Sequence, residues 1–138
     1  MTLFSEIHGL PVVTLADAAE LGTVTSLAVD AAAGTVTHLR VRGRRRRQET
    51  VLPWAALHAV GPDAVLVRSA DPAGPVPPHD PVDSRVLTDA GDEAGTVRDL
   101  VFDPDTGRVL RVVTAYGDIP ADRLLGLGDY ALVVRAAV

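Results

Sequence analysis

The sequence predicts an all-β fold that consists of two tandem small β-barrels with short helical turns. The first observation is an internal repeat, because residues 22–30 read GTVTSLAVD and residues 95–103 read GTVRDLVFD. The second is a series of short apolar segments at regular spacing, separated by turn residues and without a long amphipathic helix. A unit that recurs along the chain indicates a duplicated fold.

The chain of 138 residues is therefore expected to divide into three parts. We predict copy 1 over residues 1–70, a linker over 71–83 and copy 2 over 84–138. The linker holds five of the ten prolines, which is typical of an extended spacer. Because a unit of about 70 residues forms only a marginal core by itself, we expect the copies to pack on each other or on another chain.

The elements of copy 1 follow from its apolar runs and turn residues. Residues 10–15 predict a first strand, and residues 22–30 predict a second strand rich in Val and Thr. Apolar positions in the second strand do not keep one phase, which predicts a bulge or burial on both faces. Asp30 and Gly34 predict a turn, in which the carboxylate accepts backbone N–H groups and glycine supplies a positive φ. Residues 35–41 return as the next strand.

Proline and glycine mark the end of copy 1. Residues 50–53 predict a short strand, after which Pro53 suits the first position of a short helix or 3₁₀ turn over 54–60. Gly61 suits the end of that turn, and residues 64–69 predict a closing strand. Copy 2 repeats this order, with strands expected at 95–103, 108–114, 117–120 and 130–136 and a helical turn within 121–127.

Composition indicates a globular protein and limits the cellular compartments in which it is expected. Hydrophobic residues make up 47% of the chain and aromatic residues only 4%, so the core must consist of Val, Leu and Ala. The chain has no Cys, which favours a reducing compartment. No apolar run reaches the ~18–20 residues of a membrane span, and the first residues do not resemble a signal peptide. We therefore expect a cytoplasmic protein.

A family resemblance supports the duplicated fold. Copy 1 carries the following residues in order: His8-Gly9-Leu10-Pro11-Val12, Gly22-Thr23-Val24, Asp30, Gly34, Leu39-Arg40-Val41 and Leu52-Pro53-Trp54. Copy 2 keeps Gly95-Thr96-Val97, Asp103, Gly107 and Ile119-Pro120, but has Asp83-Ser84-Arg85 in place of the lead-in and Ala121 in place of Trp54. This pattern resembles the PRC-barrel family, named for a domain of the photosynthetic reaction centre H subunit.

The resemblance implies a compact barrel of six strands and a non-enzymatic role. Similar domains occur in the reaction centre H subunit and in a ribosome maturation factor, where the barrel contacts a ribosomal protein, and others are small stand-alone proteins. No functional residue of those proteins has a matching motif in this chain. The resemblance therefore implies a kind of module and no particular site.

The segments that resemble catalytic or metal-binding motifs have simpler explanations. The segment DPDTG (103–107) resembles the start of a calcium loop, but Val113 stands where the bidentate Glu would be needed. A hairpin turn explains this segment and its counterpart DAAAG (30–34) equally well. The four histidines lack metal-ligand spacing, and no serine lies in a nucleophile elbow. We expect no cofactor, no metal and no enzymatic activity.

A run of arginines is the candidate interaction site. Five arginines fall within six residues of a predicted hairpin connection: Arg42, Arg44, Arg45, Arg46 and Arg47. Arginine pairs with carboxylates and phosphates through two parallel N–H bonds. The run is therefore interpreted as a solvated loop, as a docking arm for an acidic protein, or as a contact for nucleic acid or membrane. No aromatic residue interleaves it, which disfavours nucleic acid.

Charge suggests one target for the arginines. Residues 71–138 hold six Arg and twelve Asp or Glu, whereas residues 1–70 hold seven Arg and six Asp or Glu. The acidic half of a second copy of the protein could therefore bind the run, through residues that include Asp89, Asp92, Glu93, Asp99, Asp103 and Asp105. Trp54, the single Trp, is expected to pack into the first barrel, with an exposed interface anchor as the alternative.

The sequence thus predicts a non-catalytic protein-binding or scaffolding module, with self-association as one form of that role. Its partner is expected to be a protein of unknown identity, with no membrane span. The alternative is an RNA- or ribosome-associated factor that docks through the Arg-rich hairpin.

Overall fold

The computed structural model describes residues 1–43, 49–71 and 79–137. Within this part the chain is almost entirely strand and turn, with one short helix and two single 3₁₀ turns. The elements of the first half are β1 (Thr2–Leu3), α1 (Phe4–Ile7), β2 (Pro11–Thr14), β3 (Glu20–Asp30), β4 (Thr35–Arg42), β5 (Glu49–Pro53), a 3₁₀ turn (Trp54–Ala56), β6 (Leu57–Val60) and β7 (Val65–Val67).

The second half repeats this series from β2 onward. Its elements are β8 (Arg85–Thr88), β9 (Glu93–Phe102), β10 (Val109–Thr114), β11 (Gly117–Pro120), a 3₁₀ turn (Ala121–Arg123), β12 (Leu124–Leu127) and β13 (Leu132–Val134). The first sheet has the order β5-β4-β3-β2-β7-β6, and the second has the order β11-β10-β9-β8-β13-β12. Each strand order is the other with its numbers raised by six. The all-β fold of two tandem small barrel-like units is confirmed.

Both sheets close by the same mixed pairing. The first and last strands of each copy run parallel, as β2 with β7 and β8 with β13, whereas the other pairs are antiparallel. A parallel pair needs a long connection, and here that connection is the rest of the copy. This pairing places the first and last strands of each copy side by side in one sheet.

The phase break in the second predicted strand is confirmed. The pairing of β3 with β4 shifts register between Val24 and Ser26 and again between Ala28 and Val29. Every residue from Ser26 to Val29 is buried, so this part of β3 is covered on both faces. A strand that curves strongly and lies between two layers shows both properties.

The aspartate–glycine turns are confirmed in both copies. The Asp30 carboxylate accepts the N–H of Ala33 at 3.1 Å, and Gly34 has a φ of 68°. In copy 2 the Asp103 carboxylate accepts the N–H of Asp105 at 2.9 Å, and Gly107 has a φ of 78°. The segment that resembles a calcium loop is therefore a hairpin turn closed by its own backbone.

Several boundaries differ from the sequence prediction. The turn after Pro53 ends at Ala56, and the apolar residues behind it form β6 rather than more helix. Gly61 therefore does not end the turn; its N–H bonds to the Ala64 carbonyl in the connection between β6 and β7. β8 was not predicted as a strand, because the lead-in motif of copy 1 is replaced there by polar residues.

The N-terminal segment lies on the opposite copy, which sequence patterns did not indicate. β1 pairs with the end of β9, where Thr2 faces Phe102 and Leu3 faces Val101. α1 buries Phe4 and Ile7, and the N–H of Ser5 donates to the Asp99 carboxylate at 3.0 Å. The start of the chain therefore fastens copy 1 to the second sheet.

The core is continuous across both copies. Its buried side chains come from both sheets and are mainly Val and Leu, with Phe102, Ile7 and Leu100 among the largest that are fully buried. The aliphatic composition predicted from the scarcity of aromatic residues is confirmed. No helix in the described part of the chain is long and apolar enough to cross a membrane.

A substitution at Gly22 tests how closely the backbones of β3 and β4 approach each other. A Cβ at this position would lie 1.9 Å from the carbonyl oxygen of Arg42, and the residue has a φ of 148°. We expect Gly22→Ala to lower the free energy of unfolding by about 2 kcal/mol or more, because neighbouring backbone would have to move. Urea denaturation measures this.

The matched control is Gly128→Ala, where an added Cβ would meet nothing within 4 Å. We expect a change of at most about 0.5 kcal/mol there. Equal urea midpoints for the two variants would contradict the described packing.

Candidate binding surfaces at and around the seam between the copies

The two copies meet along a short stretch of backbone, here called the seam. Val36 donates its N–H to the Gly107 carbonyl at 2.7 Å, and Val109 donates to the Gly34 carbonyl at 2.8 Å. Between these bonds Thr35 faces Arg108 in an isolated antiparallel bridge. In the repeat Val36 corresponds to Val109 and Gly34 to Gly107, so one interaction is made twice, as in a two-fold symmetric dimer.

Trp54 lies in this seam. Its ring meets the ring of Phe102 edge-on with centroids 5.5 Å apart, and its Nε1 donates to the Pro104 carbonyl at 3.2 Å. A Cβ on Gly107 would lie only 2.8 Å from Trp54 Cδ1, so the indole rests directly on this glycine. These contacts are all with copy 2, which corrects the expectation that Trp54 packs into the first barrel.

A cavity of about 430 Å³ flanks Trp54 on one side of the seam. Its polar walls come from Arg68 and His58 of copy 1 and from Asp105 and Thr106 of copy 2. The Arg68 guanidinium is already held, because its Nη1 donates to the carbonyls of Ala55 and Leu57.

A second cavity of about 290 Å³ lies at the equivalent position on the other side of the seam. Its lining has Ala32 and Ala33 where the first cavity has Asp105 and Thr106. It has Leu125 in place of His58 and keeps an arginine, Arg135, at the position of Arg68. Arg108 and Asp122 complete the polar part of this lining. Duplication has produced two related cavities whose chemistry has diverged.

The second cavity is open where Trp54 closes the first. Ala121 takes the place of Trp54, and the nearest neighbour of a Cβ on Gly34 would be the Ala121 Cβ at 4.0 Å. Gly107 is buried beneath the indole, whereas Gly34 is only half-buried and contributes to the cavity wall. The missing side chain thus leaves a gap against the glycine turn.

Two exposed tyrosines mark a separate surface on copy 2. Tyr116 is 85% exposed and Tyr130 is 67% exposed. Arg85 donates from Nη1 to the Tyr130 hydroxyl at 2.8 Å, its guanidinium carbon lies 4.9 Å from that ring's centroid, and its Nε lies 3.4 Å from Glu93.

Tyr116 adjoins the same group of residues. Its ring lies over Gly95 and lines a shallow depression together with Glu93 and Thr96. We call the residues Arg85, Glu93, Tyr116 and Tyr130 the tyrosine face. Sequence reasoning did not single them out, because two tyrosines so far apart in sequence give no local signal.

The arginine run is only partly described by the structure. Arg42 is exposed at the end of β4, where it faces Glu49 across the hairpin. Arg44, Arg45, Arg46 and Arg47 lie outside the described residues. The role predicted for this run stays a prediction.

The acidic residues proposed as its target are spread along β9. Asp89 and Glu93 lie near its start, whereas Asp103 and Asp105 follow its end. Glu93 pairs with Arg85, and the Asp89 carboxylate accepts the N–H of Ala136 at 2.9 Å. Binding of the arginine run by these residues stays a prediction.

A buried polar cluster joins the end of the linker to copy 1. Arg40 is buried and donates from Nη1 to the Ser26 hydroxyl at 3.1 Å, and the Asp80 carboxylate accepts the N–H of Val82 at 3.0 Å. Burial raises the pKa of Asp80, although that N–H bond and the charge of Arg40 act in the other direction.

Histidines and carboxylates do not gather into a metal centre in the residues the structure describes. His38 lies against Thr37, and burial, aided by the charge of Arg40, lowers its pKa. In the same described ranges, every buried side-chain nitrogen and oxygen has a hydrogen-bond partner. The polar interior is therefore satisfied by the protein itself.

Comparison with known proteins gives one family. The model of the PRC-barrel domain family matches residues 1–71 and again residues 76–134. No curated protein matches the chain. The two matched segments cover most of the sequence and coincide with the internal repeat.

Trp54 and Ala121 provide a reciprocal test of the seam. We expect Trp54→Ala to lower the free energy of unfolding by about 3 kcal/mol, because it empties the space over Gly107. Ala121→Trp should raise the free energy of unfolding by about 1 kcal/mol, because an indole fills the open cavity. Thermal unfolding followed by circular dichroism measures both. Leu15→Trp, at an exposed site in copy 1, is the control, and a loss in Ala121→Trp would contradict the shape of the cavity.

Asp80 should make stability depend on pH. A raised pKa in the folded state means that its contribution is fully present below the unfolded value of 3.8 and is lost as pH rises through the folded pKa. We therefore expect Asp80→Asn to be more stable than the parent at pH 7, with the difference vanishing toward pH 3. Urea midpoints between pH 3 and pH 7 measure this.

Asp129→Asn, which removes an exposed carboxylate, is the control for the change in net charge. A lower midpoint for Asp80→Asn than for Asp129→Asn at pH 7 would show that the charge of Asp80 stabilises the fold, contrary to this expectation.

Proposed function

The chain belongs to the PRC-barrel domain family, and from this premise we propose that it is a non-catalytic protein-binding module that engages its partner through the tyrosine face. Domains of this family are generally protein-interaction modules. The proposal includes the division into copy 1 (1–70), a linker (71–83) and copy 2 (84–138), and a cytoplasmic location. The observation that carries it is the outward placement of both tyrosines.

The distribution of aromatic residues supports this choice of surface. The chain has two Phe, two Tyr and one Trp. Both Phe are buried in the core and Trp54 packs in the seam, whereas both Tyr face solvent. Tyrosine and arginine are enriched among the residues that dominate binding energy at protein interfaces. A fold with so few aromatic residues that leaves both tyrosines exposed thus presents the side chains that such interfaces use.

The contacts of the tyrosine face also favour binding. Arg85 holds Tyr130 by a hydrogen bond and by a cation–π contact, and Glu93 holds Arg85 in turn. An aromatic side chain that is fixed before binding loses little conformational entropy when it is buried. The tyrosine hydroxyls remain able to hydrogen-bond with a partner at the rim of the interface.

The arginine run is the second candidate surface within the same function. Arg42 is exposed at the start of the run, and five guanidinium groups favour an acidic protein, including a second copy of this chain. Such self-association would be weakened by salt, because exposed charges are screened. The exposed tyrosines lie on the acidic copy, a charge that disfavours the RNA alternative.

Quantitative affinity capture from the native cells tests these surfaces against each other. We expect the double variant Tyr116→Ser/Tyr130→Ser to lose at least about tenfold of the specific partner, because buried hot-spot side chains contribute about 2 kcal/mol or more each. Leu15→Ser removes an exposed apolar side chain from copy 1 and should leave capture unchanged.

A variant with Gln at Arg42 and at positions 44–47 completes the comparison. Unchanged capture by the tyrosine variant together with loss by the arginine variant would transfer the function to the arginine run. Loss of co-sedimentation with ribonucleoprotein in the arginine variant alone would establish the RNA alternative instead.

A further inference from the structure

We propose that the second seam cavity is a docking slot for a tryptophan side chain that a partner protein carries next to acidic residues. The slot is lined by the turn residues 32–34, by Ala121 and Asp122 of the second 3₁₀ turn, and by the side chains of Arg108 and Arg135. The inference rests on the proposed protein-binding function but uses a surface distinct from the tyrosine face.

The protein itself provides the template for an indole at this place. Trp54 occupies the equivalent position of copy 1, where its ring contacts Phe102, Pro104 and Gly107. The residues at the equivalent positions are Val29, Ala31 and Gly34, each no larger than its counterpart. Of these, Gly34 lines the slot, and a Cβ on it would meet only the Ala121 Cβ at 4.0 Å, so the position that the indole occupies over Gly107 is unfilled over Gly34.

The size of the slot limits its occupant. Sites for drug-sized ligands and cofactors occupy about 300–1,000 Å³, and the slot of about 290 Å³ falls just below that range. One aromatic side chain fits within it, and Ala32, Ala33, Leu124 and Val109 would contact the ring. A dinucleotide or similar cofactor would not fit.

The charged residues at the rim of the slot favour acidic residues next to the inserted tryptophan. Arg108, Arg135 and Asp122 line the slot and are exposed, which gives the rim a net positive charge on a chain whose net charge is −5. Among the described residues, neither guanidinium has a side-chain hydrogen bond or ion pair. Two available guanidinium groups beside the aliphatic side chains of the slot complement carboxylates next to the inserted ring.

A second copy of this chain does not provide such a segment. Its single tryptophan is Trp54, which is held in the seam by Phe102 and Pro104. The required tryptophan therefore comes from a different protein. The slot is also continuous with the seam, so an inserted side chain would extend an interface that the protein has already formed within itself.

The test uses the full chain labelled with ¹⁵N and the peptide acetyl-Asp-Trp-Asp-amide as the probe. We expect saturable chemical-shift changes confined to residues 31–34, 108–109 and 121–125. Acetyl-Asp-Ala-Asp-amide should cause none, and acetyl-Lys-Trp-Lys-amide should bind at least fivefold more weakly. Shift changes elsewhere, or equal binding of the three peptides, would overturn the proposal.

Two variants locate the interaction. Ala121→Trp places an indole of the chain itself in the slot and should weaken peptide binding at least tenfold, whereas Leu15→Trp adds the same side chain elsewhere and should have no effect. Arg108→Gln/Arg135→Gln keeps Ala121 and should remove the preference for Asp over Lys in the peptide. Unchanged affinity in Ala121→Trp, or an unchanged preference in the double arginine variant, would overturn the proposal.

Other occupants give other results. Indole-3-acetate that binds in the slot when the peptide does not would make it a small-molecule site and overturn docking of a protein. A dimer that dissociates in Ala121→Trp, seen by sedimentation, would make a second copy the occupant. Loss of capture in the tyrosine double variant tests the proposed function separately, because Tyr116 and Tyr130 do not line the slot.

Discussion

The reciprocal pair of backbone hydrogen bonds across the seam is the constraint on which the rest of the molecule depends. Each copy contributes one donor and one acceptor, from Val36 and Gly34 on one side and from Val109 and Gly107 on the other. A unit of this size forms only a marginal core alone, and the core shared by the two copies adds buried apolar surface to each. The position of Trp54 and the existence of both cavities follow from the way these turns are set against each other.

After duplication the two copies kept the same sheet topology, but the side chains on the two sides of the seam diverged. Both sheets keep the same strand order, parallel closing pair and aspartate–glycine turn. Around the seam, however, Ala121 stands at the position equivalent to Trp54. Two alanines, Ala32 and Ala33, stand at the positions equivalent to Asp105 and Thr106. A symmetric dimer must present two identical surfaces, whereas a fused pair can keep one side closed and leave the other open.

The sequence was informative wherever structure depends on near neighbours. The repeat, the two aspartate–glycine turns and the broken phase of β3 depend on residues close in the chain, and these three predictions were correct. The placement of Trp54 against Phe102, the crossing of β1 to β9 and the contact of Arg85 with Tyr130 depend on pairs that are distant in sequence. No local pattern encodes them, so both the slot and the tyrosine face became visible only in three dimensions.

The crossing of β1 has a consequence for how the protein is made. Leu3 pairs with Val101, so the first strand can find its place only after roughly one hundred further residues have been synthesised. At about 5–20 residues per second, a ribosome needs some 5–20 seconds for that stretch. During this interval Phe4 and Ile7, which end up buried, have no β9 to cover them. The nascent chain therefore exposes these two apolar side chains for seconds before β9 can cover them.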